Sequence, residues 1–207
     1  MLRSLTLGAE MFRQSRETKV HMTLAQSARR RECIATGVPF FDHLLQQVAV
    51  HSGLMMQASA IGDCFLDKHH VVEDVGIAFG TALARLLCSL AQTNRYGYFY
   101  APLDDALARA VVDLSGRPTL CVGAGSAGSV CSFNANLVVE FFRAVSRSVG
   151  ASLHIDVVRG LERHHRAEAV FKAFGRAMQQ ATRVDASRAA STKGFLTSDN
   201  EDGRRNS

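Results

Sequence analysis

Two short stretches of the chain share one arrangement of metal-binding side chains: His69-His70-Val71-Val72-Glu73 and His164-His165-Arg166-Ala167-Glu168. An imidazole nitrogen and a carboxylate oxygen are good donors for a divalent cation. Residues four apart lie one above the other on a helix, so His69 shares a face with Glu73, and His164 with Glu168. The second histidine of each doublet, one residue on, points about 100° away. A single His-His-x-x-Glu is a weak signal, because histidine doublets also decorate helix surfaces. Two copies at matching places are a strong one, since decoration has no reason to recur.

The two motifs sit inside an internal repeat. Phe40-Phe41-Asp42-His43-Leu44-Leu45, a break at Ser52-Gly53, an apolar stretch over Leu54 to Ala60 and the first doublet are followed by Val75-Gly76-Ile77-Ala78-Phe79-Gly80. The same order returns as Val139-Glu140-Phe141-Phe142-Arg143, a break at Gly150, Leu153 to Val158, the second doublet and Phe171-Lys172-Ala173-Phe174-Gly175. Apolar residues after each doublet recur every three or four positions, as in a helix packed on one face. The stretches before each doublet alternate or are rich in Val, Ile and Leu, and read as strands.

Each half is expected to run strand, strand, helix, strand, helix. Thr18 to Gln26 and Arg31 to Thr36 open the first half; Ala106 to Leu114 and Thr119 to Val122 open the second. The fold class is α+β by duplication of a ββαβα half, with two sheets and helices packed on one face of each. Residues 1–12 read as a short N-terminal arm without the marks of a secretory signal. The first half-repeat covers 13–98 and the second 99–196, together one compact catalytic domain, with 197–207 a disordered tail. Asn94-Arg95-Tyr96-Gly97 and Pro102 mark a turn at the boundary, and Gly123 to Ser129 reads as a surface hairpin loop.

In a pseudo-symmetric pair of halves, the divergent second histidines are most simply used by exchange. One cation then takes His69, Glu73, His165 and Glu140; the other takes His164, Glu168, His70 and His43. The exchange works within one chain or between subunits. Nitrogen and oxygen donors without thiolate exclude an iron–sulfur or soft-metal site and suit Mn, Zn, Fe or Co. Four ligands with two open octahedral positions favour Mn.

The rest of the composition narrows the class. The chain has 207 residues, 47% of them hydrophobic, enough for a buried core. No apolar run reaches the about 18 residues that span a bilayer, so no membrane partner is expected. Five cysteines, Cys33, Cys64, Cys88, Cys121 and Cys131, form no C-x-x-C pair. They point to a reducing, cytoplasmic setting, with the thiols as small core residues. The net charge of +5 and the run Arg29-Arg30-Arg31 are read as a solvated turn, with no nucleic-acid partner. A modest positive balance also suits a phosphorylated substrate.

At these residues the sequence resembles the imidazoleglycerol-phosphate dehydratase family from about Arg13 to Leu196. The most specific blocks are Thr36-Gly37 with Phe40-Phe41-Asp42-His43, His69-His70-x-x-Glu73-Asp74, Asn94-Arg95-Tyr96-Gly97, Ala101-Pro102-Leu103-Asp104 and Asp113-Leu114-Ser115-Gly116-Arg117-Pro118. His164-His165 with Glu168, Phe171-Lys172-Ala173-Phe174 and Ser191-Thr192-Lys193-Gly194 complete the set. The resemblance implies a hydro-lyase of histidine biosynthesis with two Mn ions per active site, in a homo-oligomer of twenty-four subunits with substrate bound between them. It implies that Glu17 acts on the substrate as acid or base. It assigns Arg95, Arg117, Lys172, Ser191, Thr192 and Lys193 to the substrate and its phosphate, with His51 lining the same region.

The chemistry is intelligible. Dehydrating an imidazole diol removes hydrogen from a weakly acidic carbon, so the ring must first become an electron sink, which metal coordination provides. Glu17 then has to move a proton only over hydrogen-bond range. Arginine and lysine supply a phosphate clamp. A dinuclear metallohydrolase would use the same metal ligands without that clamp, and a non-catalytic metal-templated assembly would not need Glu17.

Overall fold

The computed structural model describes residues 7–27, 32–62, 68–90, 92–123 and 135–184. The first half contains β1 (Leu7–Gln14), β2 (Thr18–Gln26), β3 (Cys33–Ala35), α1 (Pro39–Ser52), β4 (Met55–Gly62) and α2 (His69–Ser89). The second contains β5 (Tyr96–Leu103), β6 (Ala106–Asp113), β7 (Thr119–Val122), α3 (Ala135–Val149), β8 (Ser152–Arg159) and α4 (Arg163–Ala181). The sheets have the orders β1-β2-β4-β3 and β5-β6-β8-β7. In each, the first three strands are antiparallel and the last joins in parallel. The duplicated α+β fold is therefore as expected.

Each half has one more strand than its sequence pattern suggested. The arm expected over 1–12 is, from Leu7 onward, the edge strand β1. The turn expected over 95–104 is mostly β5, also an edge strand. An edge strand tolerates proline, so Pro102 does not break β5, and its outward positions carry Tyr96, Tyr98 and Tyr100, which mask the alternation of exposed and covered residues. The reversals are Asn94–Arg95, with Arg95 at φ 66°, and Asp104, at φ 46°. The basic run Arg29–Arg31, residues 124–129 of the expected loop and the tail 197–207 lie outside the described residues.

Helix α2 packs on β1, β2 and β4, and α4 on β5, β6 and β8, while α2 also meets α3 and α4 meets α1. Contacts between helices therefore tie one half to the other. Phe41, Phe79, Phe141, Phe142, Phe171 and Phe174, drawn from all four helices, are fully buried. Their rings touch across the halves, with Phe41 and Phe141 centroids 5.4 Å apart and Phe79 and Phe174 6.3 Å apart. Burying each such ring contributes about 1.5–3 kcal/mol. Glycine sets the close approach: a Cβ on Gly80 of α2 would lie 2.7 Å from Ser148 Cβ and 2.9 Å from Val145 O of α3. In the other pairing, a Cβ on Gly175 of α4 would lie 2.9 Å from His51 Cβ of α1.

Cys33, Cys88 and Cys121 are exposed free thiols in the single chain rather than the core residues expected. They lie on a strand of each sheet and near the end of α2, where a small residue can face outward. Cys64 and Cys131 lie outside the described residues.

Candidate active site

Helix α1 is started by Pro39 in its first turn and by Asp42, whose carboxylate accepts from Thr36 N at 2.9 Å and Thr36 Oγ1 at 2.5 Å. That clasp ties the start of α1, one residue before His43, to the segment that follows β3. Because α1 lies against α4, His43 Nε2 comes 3.1 Å from Glu168 Oε2, and His164 Nε2 comes 3.2 Å from the same oxygen. The ligand atoms of His43, His164 and Glu168 all lie within 4.8 Å of one another. Among the described residues, these form the one group of three metal-ligand side chains. Two imidazoles and one carboxylate without thiolate fit a borderline or hard divalent cation.

Glu168 is 9% exposed and divides its oxygens. Oε2 faces the two imidazoles, and Oε1 accepts from Lys172 Nζ at 2.9 Å, one helical turn on. Burial pushes the carboxyl pKa up, but Lys172 and His43 outweigh it and hold it at about 2. The carboxylate is thus ionised at neutral pH.

The first doublet is looser. His69 Nε2 lies 3.8 Å from Glu73 Oε2 on the shared face that the spacing predicts. The two rings of each doublet are nearly perpendicular, at 81° for His69 with His70 and 90° for His164 with His165. His70 Nδ1 turns to Glu17 Oε2 at 3.3 Å. His165 turns to Asp105, with Nδ1 2.8 Å from Oδ1, and Nε2 lies 3.3 Å from Asp104 Oδ2. Neither second histidine joins the cluster of three in this chain, so the exchange within one chain is not what the fold forms. The two doublets stand on helices packed against different sheets, which keeps them apart. Glu140, on α3, pairs with Arg143 one turn on.

The β5–β6 hairpin reverses at Asp104–Asp105 and brings both carboxylates to the start of α4. Asp105 Oδ2 accepts the backbone N–H of Leu161 at 2.5 Å and of Glu162 at 3.1 Å. The hydrogen bond from His165, followed by these two, holds the Asp105 carboxyl well below the ordinary range. In return the Asp105 bond raises the His165 pKa against its desolvation. His165 is thus held through Nδ1 by Asp105, with Nε2 facing the more exposed Asp104.

Among the residues expected to hold the substrate, Arg95 is fixed in a fork on Asp113, with Nε 2.6 Å from Oδ1 and Nη2 3.1 Å from Oδ2. Arg117 is exposed in the turn before β7, where its carbonyl accepts from Ser152 Oγ at 3.0 Å. His51 stands in the last turn of α1, and its pKa is lowered by burial and by the nearby cations Lys172 and Arg176. Ser191, Thr192 and Lys193 lie outside the described residues. Asp74, Asp105 and Asp113 received no role from sequence. For Asp105 and Asp113 the available signal was an acidic residue ending or joining strands beside a motif; for Asp74 it was an aspartate at a position that the apolar periodicity buries.

The sequence pattern of the family described as Imidazoleglycerol-phosphate dehydratase matches residues 36–178. Relatives of that name from Cupriavidus metallidurans and Halorhodospira halophila are 44% and 47% identical over 192 residues, covering 91% of this chain and 98% of each relative. The chain belongs to the imidazoleglycerol-phosphate dehydratase family. It is accordingly a hydro-lyase, and the metallohydrolase and non-catalytic alternatives fall away. Solved dehydratase structures share the fold: that from Staphylococcus aureus has a TM-score of 0.78 at 37% identity, covering 86% of this chain and 99% of its own. The one from Pyrococcus furiosus has a TM-score of 0.79 at 33% identity, covering 90% of this chain and all of its own.

Proposed function

We propose that the chain converts D-erythro-imidazole glycerol phosphate to imidazole acetol phosphate in histidine biosynthesis, with two Mn ions per active site, as a cytoplasmic homo-oligomer of twenty-four copies. The observation that carries this reading is the convergence of His43, His164 and Glu168 within 4.8 Å in a chain of the dehydratase family.

His43, His164 and Glu168 would hold one cation, joined by His70 of another copy. His69 and Glu73 would hold the other, joined by His165 and Glu140. Exchange between copies is favoured because His70 and His165 are engaged by other groups within their own chain. When bound, the cations supply Lewis acidity that lets the substrate ring accept negative charge. Glu17, whose carboxylate lies in reach of His70 Nδ1, takes or returns the proton on carbon. Arg95, Arg117, Lys172, Ser191, Thr192 and Lys193 bind the phosphate end. The Asp113 fork orients Arg95 before substrate arrives, which lowers the ordering cost of binding. His51 stays neutral beside Lys172 and Arg176 and lines the same end.

The oligomer is supported by large apolar side chains left uncovered in the single chain: Leu161 at 93%, Ile61 at 75%, Tyr98 at 67% and Phe12 at 61% exposed. The cytoplasmic setting is supported by the free thiols. No helix among the described residues is long and apolar enough to cross a membrane.

The test is to load the protein with Mn, add imidazole glycerol phosphate and follow imidazole acetol phosphate. Turnover supports the reading. A metal-replete, assembled protein that gives no product overturns it.

A further inference from the structure

We propose that Asp74 is a positioning residue for Glu17, acting through the hydroxyl of Ser15, so that the first two turns of α2 set both a metal-ligand pair and the acid–base group. The inference rests on the reading of Glu17 given above.

Asp74 follows Glu73 directly, so the two side chains diverge by about 100° around α2. Glu73 stays on the face of His69, while Asp74 is buried, with 8% of its side chain exposed. A buried carboxylate is costly unless it is paired and hydrogen-bonded. Its partners among the described residues come from the β1–β2 turn and its flanks. Arg13 Nε donates to Oδ1 at 2.6 Å, while Thr18 Oγ1 donates to Oδ2 and Ser15 Oγ lies 3.4 Å from the same oxygen.

Ser15 Oγ in turn accepts the backbone N–H of Glu17 at 3.2 Å and of Thr18 at 3.0 Å, and Ser15 N closes the turn on Thr18 O at 2.9 Å. One route therefore runs from α2 through Asp74 and Ser15 to the backbone of Glu17. The Glu17 carboxylate itself is 60% exposed and has His70 as its partner on the doublet. That one contact, between two side chains both about half exposed or more, holds the carboxylate weakly, so its placement depends mainly on the turn that bears it. Asp74 needs this turn to satisfy its charge, and Glu17 needs the same turn to stand beside the histidines.

The test compares Asp74→Asn, Thr18→Val, Thr18→Ser, Ser15→Ala and Glu17→Gln in the Mn-loaded oligomer. Ser15 is exposed, so Ser15→Ala folds even where the change at buried Asp74 does not. Ser15→Ala and Thr18→Val are expected to lower kcat by about 10- to 100-fold, the scale of a misplaced catalytic group. KM and bound Mn should stay near the parent values, and Thr18→Ser should retain kcat. In the metal-free protein, Thr18→Val should speed hydrogen exchange at the Glu17 amide, although Ser15 and that amide are both still present. Parent-like kcat in Ser15→Ala and Thr18→Val, with Glu17→Gln inactive, overturns this inference alone, as does unchanged amide exchange. Full activity in Glu17→Gln overturns the reading of Glu17 and this inference with it.

Discussion

His43 and Glu168 stand 125 residues apart, yet His43 Nε2 lies 3.1 Å from Glu168 Oε2. The contact joins the two halves of the repeat at the place where a cation would be held. His43 comes from α1 of the first half and Glu168 from α4 of the second, and Phe40 lies beside the cluster with its ring 5.1 Å from that of His164.

If that contact marks a metal site, removing either side should empty it. His43→Ala and Glu168→Gln are each expected to weaken Mn binding by at least the roughly 10- to 100-fold that loss of an outer partner costs. Calorimetric titration should then show about half the parent stoichiometry, with the site of His69 and Glu73 retained. Parent-like stoichiometry and affinity in both variants would count against the assignment.

Lys172 should govern when Glu168 gains its proton. The Glu168 pKa is depressed from the ordinary 4.5 to about 2, so its contribution to stability is present above 4.5 and is lost as pH falls through about 2. Lys172→Met removes the ammonium and is expected to move that loss to higher pH. Carboxyl titration by NMR in the metal-free protein reads the shift; an unmoved Glu168 would show that His43 is the dominant partner.

Two histidines should titrate on opposite sides of the ordinary 6.5. For His165, raised by Asp105, the stabilising contribution is full below 6.5 and is lost as pH rises through the folded pKa. For His51, lowered by burial and by Lys172 and Arg176, it is present above 6.5 and lost as pH falls through the folded pKa. Ring-proton NMR of the metal-free chain should find the His165 midpoint above that of His51, and Asp105→Asn should bring His165 down. The reverse order would contradict the arrangement described for α4.

Gly80→Ala should test the helix packing apart from the chemistry. The added methyl falls 2.7 Å from Ser148 Cβ and 2.9 Å from a backbone oxygen of α3, so one helix must shift. Overpacking of this kind costs about 1–3 kcal/mol. Thermal or urea unfolding measures it, and unchanged stability would mean that α3 moves freely against α2.

The sequence by itself determined what depends on neighbours along the chain. The spacing of His69 to Glu73 and of His164 to Glu168 places each pair on one helical face, and the different partners of the two histidines in each doublet follow from the turn of about 100° between adjacent residues. The repeat likewise established two similar α+β halves. Edge strands β1 and β5 escaped because their outward positions carry Phe12, Tyr96, Tyr98 and Tyr100, which blur the polar–apolar alternation, and Pro102 imitates a stop. Tertiary structure alone decided that His43 meets Glu168, that His70 faces Glu17, that His165 is held by Asp105 and that Asp74 lies under the β1–β2 turn. These partners come from distant segments, and their meeting depends on how the phenylalanine core and the glycine contacts seat one helix on another. No local period encodes that seating.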